Sequence, residues 1–168
     1  MANPSYTDLS GVDSPAVVIG SSTVIDVTLS VPAEAVDDND VLAATQEVQD
    51  FFRIPGGQAY LHSLTVLDED DQGAEMDIVF LDSNVALGTE DAAVSITDAN
   101  ARQIIGIVNV ATSDYTDLIG CQLATLRNIG LALKAASGDS SIYIAAITRG
   151  TPTHTASGLK LKLGVMWD

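Results

Sequence analysis

Carboxylates are the side chains that crowd closely enough in this sequence to do chemistry, and they do so twice. Asp68-Glu69-Asp70-Asp71-Gln72-Gly73 and Asp37-Asp38-Asn39-Asp40 each concentrate oxygen ligands within one short turn. Calcium takes about six to eight oxygens, which makes Asp68, Asp70, Asp71, Asp37, Asp38 and Asp40 the candidate metal ligands. The first stretch partly matches the start of a calcium loop, Asp-x-Asp-x-Asp/Asn-Gly. The match then fails, because the position of the bidentate Glu falls on Val79 inside an apolar run and no helix flanks the loop. Both stretches therefore read first as solvated acidic turns, and no metal or cofactor is assigned to them.

Other chemistries lack their parts. A nucleophilic relay needs Ser or Cys beside a His and an acid, and the histidines are His62 and His154. His62 falls on the strand face of Tyr60, Leu64 and Val66, as a packed or rim residue. His154 lies in the loop Gly150-Thr-Pro-Thr-His-Thr-Ala-Ser-Gly158 and reads as solvated. No Gly-x-Ser-x-Gly elbow occurs, and Cys121 has no basic neighbour in sequence. Zinc spacing of Cys and His is missing, as is the Gly-Lys pair of a phosphate loop. Paired carboxylates for sugar cleavage remain open, but 5% aromatic content argues against a sugar-lined cleft. The expectation is a protein that is not an enzyme.

Charge narrows the partners. Residues 1–98 carry 19 acids and one base, a net of −18, whereas residues 99–168 carry 4 acids and 6 bases, a net of +2. A surface this negative repels phosphate backbones, which argues against nucleic acid. Solubility or life in salty water accounts for the acid excess, and the acidic half also offers a field to a basic partner. The single Cys121 excludes an internal disulfide. Met1 to Asp8 shows no basic region followed by an apolar run, so no signal peptide is expected. No apolar stretch approaches the ~20 residues of a membrane helix.

The elements that must position these residues are strands. Ile25, Val27, Leu29 and Val31 alternate with Asp26, Thr28 and Ser30, up to Pro32; Leu159, Leu161, Leu163, Val165 and Trp167 alternate with Lys160, Lys162, Gly164 and Met166. Between Gln58 and Leu81, two apolar runs flank the acidic connector, the pattern of a β-hairpin with Leu64, Val66, Ile78 and Phe80 in the core. Further strands are expected at Val41-Leu42 (a short one), Val48–Ile54, Ile107–Ala111, Leu126–Leu133 and Ser141–Thr148, with Ala43–Asp50 read as a loop rather than a helical turn. Thr97 or Asp98 can cap one short helix near 98–105, ended by Gly106. Residues 1–21, rich in Ser, Gly, Pro and Asp, form an N-terminal arm, and residues 22–168 form one domain. Eight or nine alternating strands without strand–helix–strand units predict an all-β, antiparallel β-sandwich of jelly-roll type.

The order of several segments carries a resemblance. Asp40-Val-Leu42, Phe52-Arg-Ile-Pro-Gly-Gly57, Leu64 to Gly73 and Asp77-Ile-Val-Phe-Leu81 are followed by Ser95-Ile-Thr-Asp-Ala-Asn100 and Gly106-Ile-Val108. Then come Ile129-Gly-Leu131, Ala145-Ala-Ile-Thr-Arg-Gly-Thr-Pro-Thr153 and Leu159–Gly164. Over roughly residues 20–168 this resembles a group of small structural proteins of tailed bacteriophages. The resemblance implies a virion structural protein, a capsid decoration (cement) protein on the outer surface of the head, made in the host cytoplasm. It implies the major capsid protein as partner and a homo-oligomer, a trimer by preference, with no membrane or nucleic acid involved. The alternative is a receptor- or glycan-binding head-fibre or tail module. The resemblance carries over no catalytic residue.

Overall fold

Strict alternation of apolar and polar residues fixes which face of each strand turns inward, and β11 shows it most plainly. In the computed structural model, which describes residues 21–167 and the backbone of one pair of two-residue strands before them, Leu159, Leu161, Leu163 and Val165 are buried while Lys162 and Met166 are exposed. In chain order the strands are β1 (Tyr6–Thr7), β2 (Asp13–Ser14), β3 (Ser22–Thr28), β4 (Val41–Val48), β5 (Gln58–Asp68) and β6 (Met76–Leu81). They continue as β7 (Ile104–Val110), β8 (Tyr115–Asp117), β9 (Gln122–Lys134), β10 (Ile142–Thr148) and β11 (Leu159–Trp167). The arm expected over residues 1–21 lies outside the described residues, apart from Ser21 and the backbone pairing of β1 with β2.

Two sheets enclose the core. One has the order β3-β11-β5-β9-β8 and the other β4-β10-β6-β7, and every neighbouring pair is antiparallel. With β8 set aside as an edge addition, the strand first in chain order pairs with the last, and the chain changes sheet at nearly every connection. That double Greek-key order is a jelly roll. The fold class read from the sequence is the one observed.

Several local expectations need correction. The runs either side of the acidic connector are not a hairpin: β5 pairs with β11 and β9, whereas β6 pairs with β10 and β7 in the opposite sheet. Sheets stack about 10 Å apart, and residues 69–75 are long enough to cross that gap. Leu64, Val66, Ile78 and Phe80 still meet in one core, from opposite sides. The short strand expected at Val41-Leu42 runs on to Val48 as β4, through residues read as a loop, because Val41, Leu42 and Ala43 are buried completely, and the strand expected at Val48–Ile54 does not form. Phe51 and Phe52 instead turn in from the following loop and plug the core edge-to-face, 4.9 Å between ring centroids. The helix is a single turn, α1 (Asp98–Ala101), capped by Thr97 accepting from the Asn100 N–H, and Ile104 already opens β7.

His62 does not share the face of Leu64 and Val66. It is the unpaired extra residue of a β-bulge, because Gly164 and Val165 of β11 face Ser63 and Leu61. The bulge reverses strand parity, so Tyr60 and His62 point to solvent while Leu61, Leu64 and Val66 point inward. A second apolar cluster explains why β10 is apolar on both faces. Val41, Val79, Leu81, Ala145 and Ile147 line the outer face of the four-stranded sheet and are covered by Val85, Leu87, Val94 and Ile96 of the segment after β6. The outer face of the five-stranded sheet stays wet.

Candidate functional site at the crossing end of the sandwich

The acidic connector is built around a carboxylate that is not solvated. Asp68 ends β5 and is fully buried, contrary to the reading of Asp68–Asp71 as a solvated tip. Its Oδ1 accepts the Asp70 N–H at 3.0 Å, and its Oδ2 accepts the N–H groups of Gln72 at 2.9 Å and Gly73 at 2.7 Å. The chain must curl about this side chain to leave the sheet, and Gly73 supplies a positive φ of 55° for the exit. Burial alone raises a carboxyl pKa. Here contact with His154 and the hydrogen bonds from Gly73 and Asp70 outweigh burial and hold the Asp68 carboxyl below its ordinary range.

The other half of the site comes from residues 149–158, which cross from β10 to β11 beside the first connector. Glu69 N–H donates to the Gly158 carbonyl at 2.9 Å, and Thr153 N–H donates to Gln72 Oε1 at 3.2 Å. Thr155 donates to Asp70 Oδ2 through both its N–H, at 2.7 Å, and its hydroxyl, at 3.1 Å. These bonds draw His154 inward. Its side chain is fully buried, contrary to the solvated reading, with Nδ1 3.6 Å from Asp68 Oδ1 and 3.7 Å from Asp70 Oδ2. Those separations exceed hydrogen-bond length. Gly158 matters for closure, because a Cβ there would fall against Asp70 Oδ2. Tyr115 adds a buried hydroxyl, its pKa pushed up by burial and then by the Asp68 and Asp114 charges.

Of the residues proposed as oxygen ligands, the structure brings Asp68 and Asp70 together and adds His154, with ligand atoms all within 4.8 Å of one another. Asp71 is exposed, at φ 58°, and stands outside this group. Asp37, Asp38 and Asp40 lie in the turn that leads into β4, where the Asp40 pKa is raised by partial desolvation and then by Asp37, Asp91 and Asp38. Arg149 reaches Asp77 at 2.6 Å and Asn39 Oδ1 of the same turn at 2.5 Å. His154 is the residue that sequence reasoning missed. It is 86 positions from Asp68 in a polar loop, and only the pairing of β5 with β11 carries it there.

Neither ring nitrogen of His154 has a hydrogen-bond partner among the described residues. Cys121 is half-buried at the far end of the β8–β9 turn. What the arrangement offers chemically is two oriented carboxylates and an imidazole converging in a buried space.

No family model and no curated protein matches this chain. Among solved structures it is similar to the protein of Desmodium yellow mottle tymovirus at 10% identity, covering 96% of this chain and 88% of that one, with a TM-score of 0.31. A tomato aspermy virus structure is similar at 8% identity, covering 88% and 76%, with a TM-score of 0.36. An equine rhinitis A virus structure, described as a picornavirus capsid, is similar at 11% identity, covering 86% and 72%, with a TM-score of 0.33. Scores this low mark a loose likeness, and the fold assignment rests on the strand order itself.

Proposed function

We propose that the chain is a virion structural protein of the capsid decoration, or cement, type. It sits on the outer surface of a phage head and stabilises the shell by binding across seams between major capsid subunits. The observation that supports this most directly is the jelly-roll strand order β3-β11-β5-β9 opposite β4-β10-β6-β7, an architecture recurrent in viral capsid domains. Fold alone does not name a function; the resemblance of segment order to small phage structural proteins supplies the finer reading. The division into an arm over residues 1–21 and a sandwich over 22–168, and a trimeric state, belong to the same proposal.

The two outer faces differ in a way that suits docking. The four-stranded sheet is already covered by its own chain, whereas the wet face of the five-stranded sheet exposes Val24, Tyr60 and Met166, each near half or more of its surface. Ion pairs Lys162–Asp26 and Lys160–Glu69 flank these residues. A polar rim around apolar area is the usual anatomy of a contact surface. Binding of this kind stabilises an assembled shell by mass action. The test is to strip and restore the protein on purified heads and measure rupture on heating. Rupture at a higher temperature with the protein restored is expected. Equal rupture temperatures, or binding of the isolated protein to glycans and host cells but not to heads, would refute the cement role.

A further inference from the structure

We propose that Asp68, Asp70 and His154 form a binding site for a transition-metal dication of the zinc class, which staples the β5–β6 connector to the β10–β11 connector. The proposal is independent of the virion role. It stands on the spacing of the ligand atoms and on the burial of an imidazole whose far nitrogen, Nε2, also has no partner among the described residues.

The first is the geometry of the ligand atoms. His154 Nδ1 stands 3.6 Å from one carboxylate and 3.7 Å from the other. Bonds of about 2.0–2.2 Å to a tetrahedral metal put ligand atoms roughly 3.3–3.6 Å apart. Direct hydrogen bonds would be shorter, about 2.7–3.2 Å. The second is the state of the imidazole. His154 is fully buried, yet among the described residues neither ring nitrogen has a hydrogen-bond partner, and the buried Tyr115 hydroxyl has none either. Buried polar atoms are nearly always paired, and orphaned ones point to an ion or an ordered water.

The carboxylates are held as metal ligands are usually held. Backbone N–H groups of Asp70, Gln72 and Gly73 orient Asp68, and Thr155 orients Asp70 through two bonds. Outer partners of this kind fix ligand direction before the metal arrives. Ligand chemistry then selects the ion. Calcium and magnesium favour all-oxygen shells, whereas imidazole with carboxylate suits zinc and its neighbours. Two carboxylates with one neutral imidazole carry a charge of about −2, which a dication balances.

The experiment uses the full chain, stripped with EDTA and titrated with Zn2+ by calorimetry, with melting followed in parallel. One zinc per chain is expected. The melting temperature should rise by roughly 5–11 °C at zinc a hundredfold above its dissociation constant. Ca2+ and Mg2+ at the same concentration should leave it unmoved, and Co2+ should give the visible absorption of a low-symmetry nitrogen–oxygen site. His154→Gln and, at the half-exposed rim, Asp70→Asn should each weaken zinc binding by tenfold or more while still melting cooperatively in EDTA. Absence of stoichiometric binding by Zn2+ and Co2+ would overturn the proposal. Binding that survives both substitutions would overturn it equally.

Discussion

Replacing Asp68 by Ala isolates what a single buried carboxylate does for this fold. The substitution removes the acceptor of three backbone N–H groups, those of Asp70, Gln72 and Gly73. The Gly73 N–H is buried, so leaving it unpaired costs about 1–3 kcal/mol. The Asp70 and Gln72 N–H groups belong to half-exposed parts of the connector and can recover water, so each loses about 0.5–1.5 kcal/mol. The sum centres near about 4 kcal/mol, a large fraction of the ~5–15 kcal/mol that stabilises a typical domain. In a chain of this size that corresponds to roughly 8–16 °C of melting temperature. Calorimetric melting in EDTA, which keeps any metal out of the comparison, measures it directly. Amide exchange supplies the local readout, since Gly73 should lose protection while Val66 and Ile78 keep theirs. Asp68→Asn, which retains one acceptor oxygen but no charge, should fall between the two. A loss below about 1 kcal/mol for Asp68→Ala would mean that the connector does not depend on this side chain.

Three further outcomes are expected. Gly164→Ala places a Cβ against Ser63 Oγ without requiring an unusual φ; its cost should shrink in the Gly164→Ala/Ser63→Ala double variant, and a strictly additive cycle would refute the contact. Trp167→Phe removes the 2.8 Å donation from Nε1 to the Phe51 carbonyl and should cost about 1 kcal/mol in urea unfolding; an unchanged midpoint would show that the C-terminal strand does not close the core there. Asp139 accepts the Ser141 N–H at 2.9 Å, and that bond, ahead of a smaller opposing effect of desolvation, holds its carboxyl below the ordinary 3.8. A folded pKa below the unfolded one contributes stability present above 3.8 and lost as pH falls through the folded value. The stability gap between the native chain and Asp139→Ala should therefore narrow on acidification, and a gap that widens would contradict the sign.

Legibility followed the range of the forces involved. The inward faces of β3 and β11 could be read from alternation alone, because Ile25, Val27, Leu161 and Leu163 each sit in a strand whose other face meets water or an ion pair. The same rule misplaced His62, because a bulge is set by the partner strands and leaves no mark in local composition. The apparent hairpin failed for a related reason: two apolar runs around a turn look alike whether they pair or cross between sheets. β4 is longer than its expected Val41-Leu42 start, because both faces of its first residues are buried, which erases alternation. Asp68 and Asp70 were visible as a cluster, but their burial was not. A run of acids signals solvent unless the backbone donors that fold around it are known.

The placement of the cluster gives it mechanical weight. The 69–75 connector takes the chain from the five-stranded sheet to the four-stranded one, and the 149–158 connector brings it back. Because β5 pairs with β11 and β6 with β10, these two crossings must lie side by side at the same end of the sandwich. Glu69 to Gly158, Thr153 to Gln72 and Thr155 to Asp70 then tie one crossing to the other. With the crossings tied, the two sheets cannot splay at this end without breaking these bonds and opening the buried contact between Asp68 and His154. An end held in that way presents loops that are already ordered before any partner arrives. Ordering mobile side chains and loops at an interface costs roughly 0.5–1.5 kcal/mol for each rotamer-rich side chain immobilised. For the proposed docking role, avoiding that cost adds affinity without adding area. A dication at Asp68, Asp70 and His154 would strengthen the same tie, so removing it should loosen the exchange protection of residues 69–75 and 150–158 together, and not of either crossing alone.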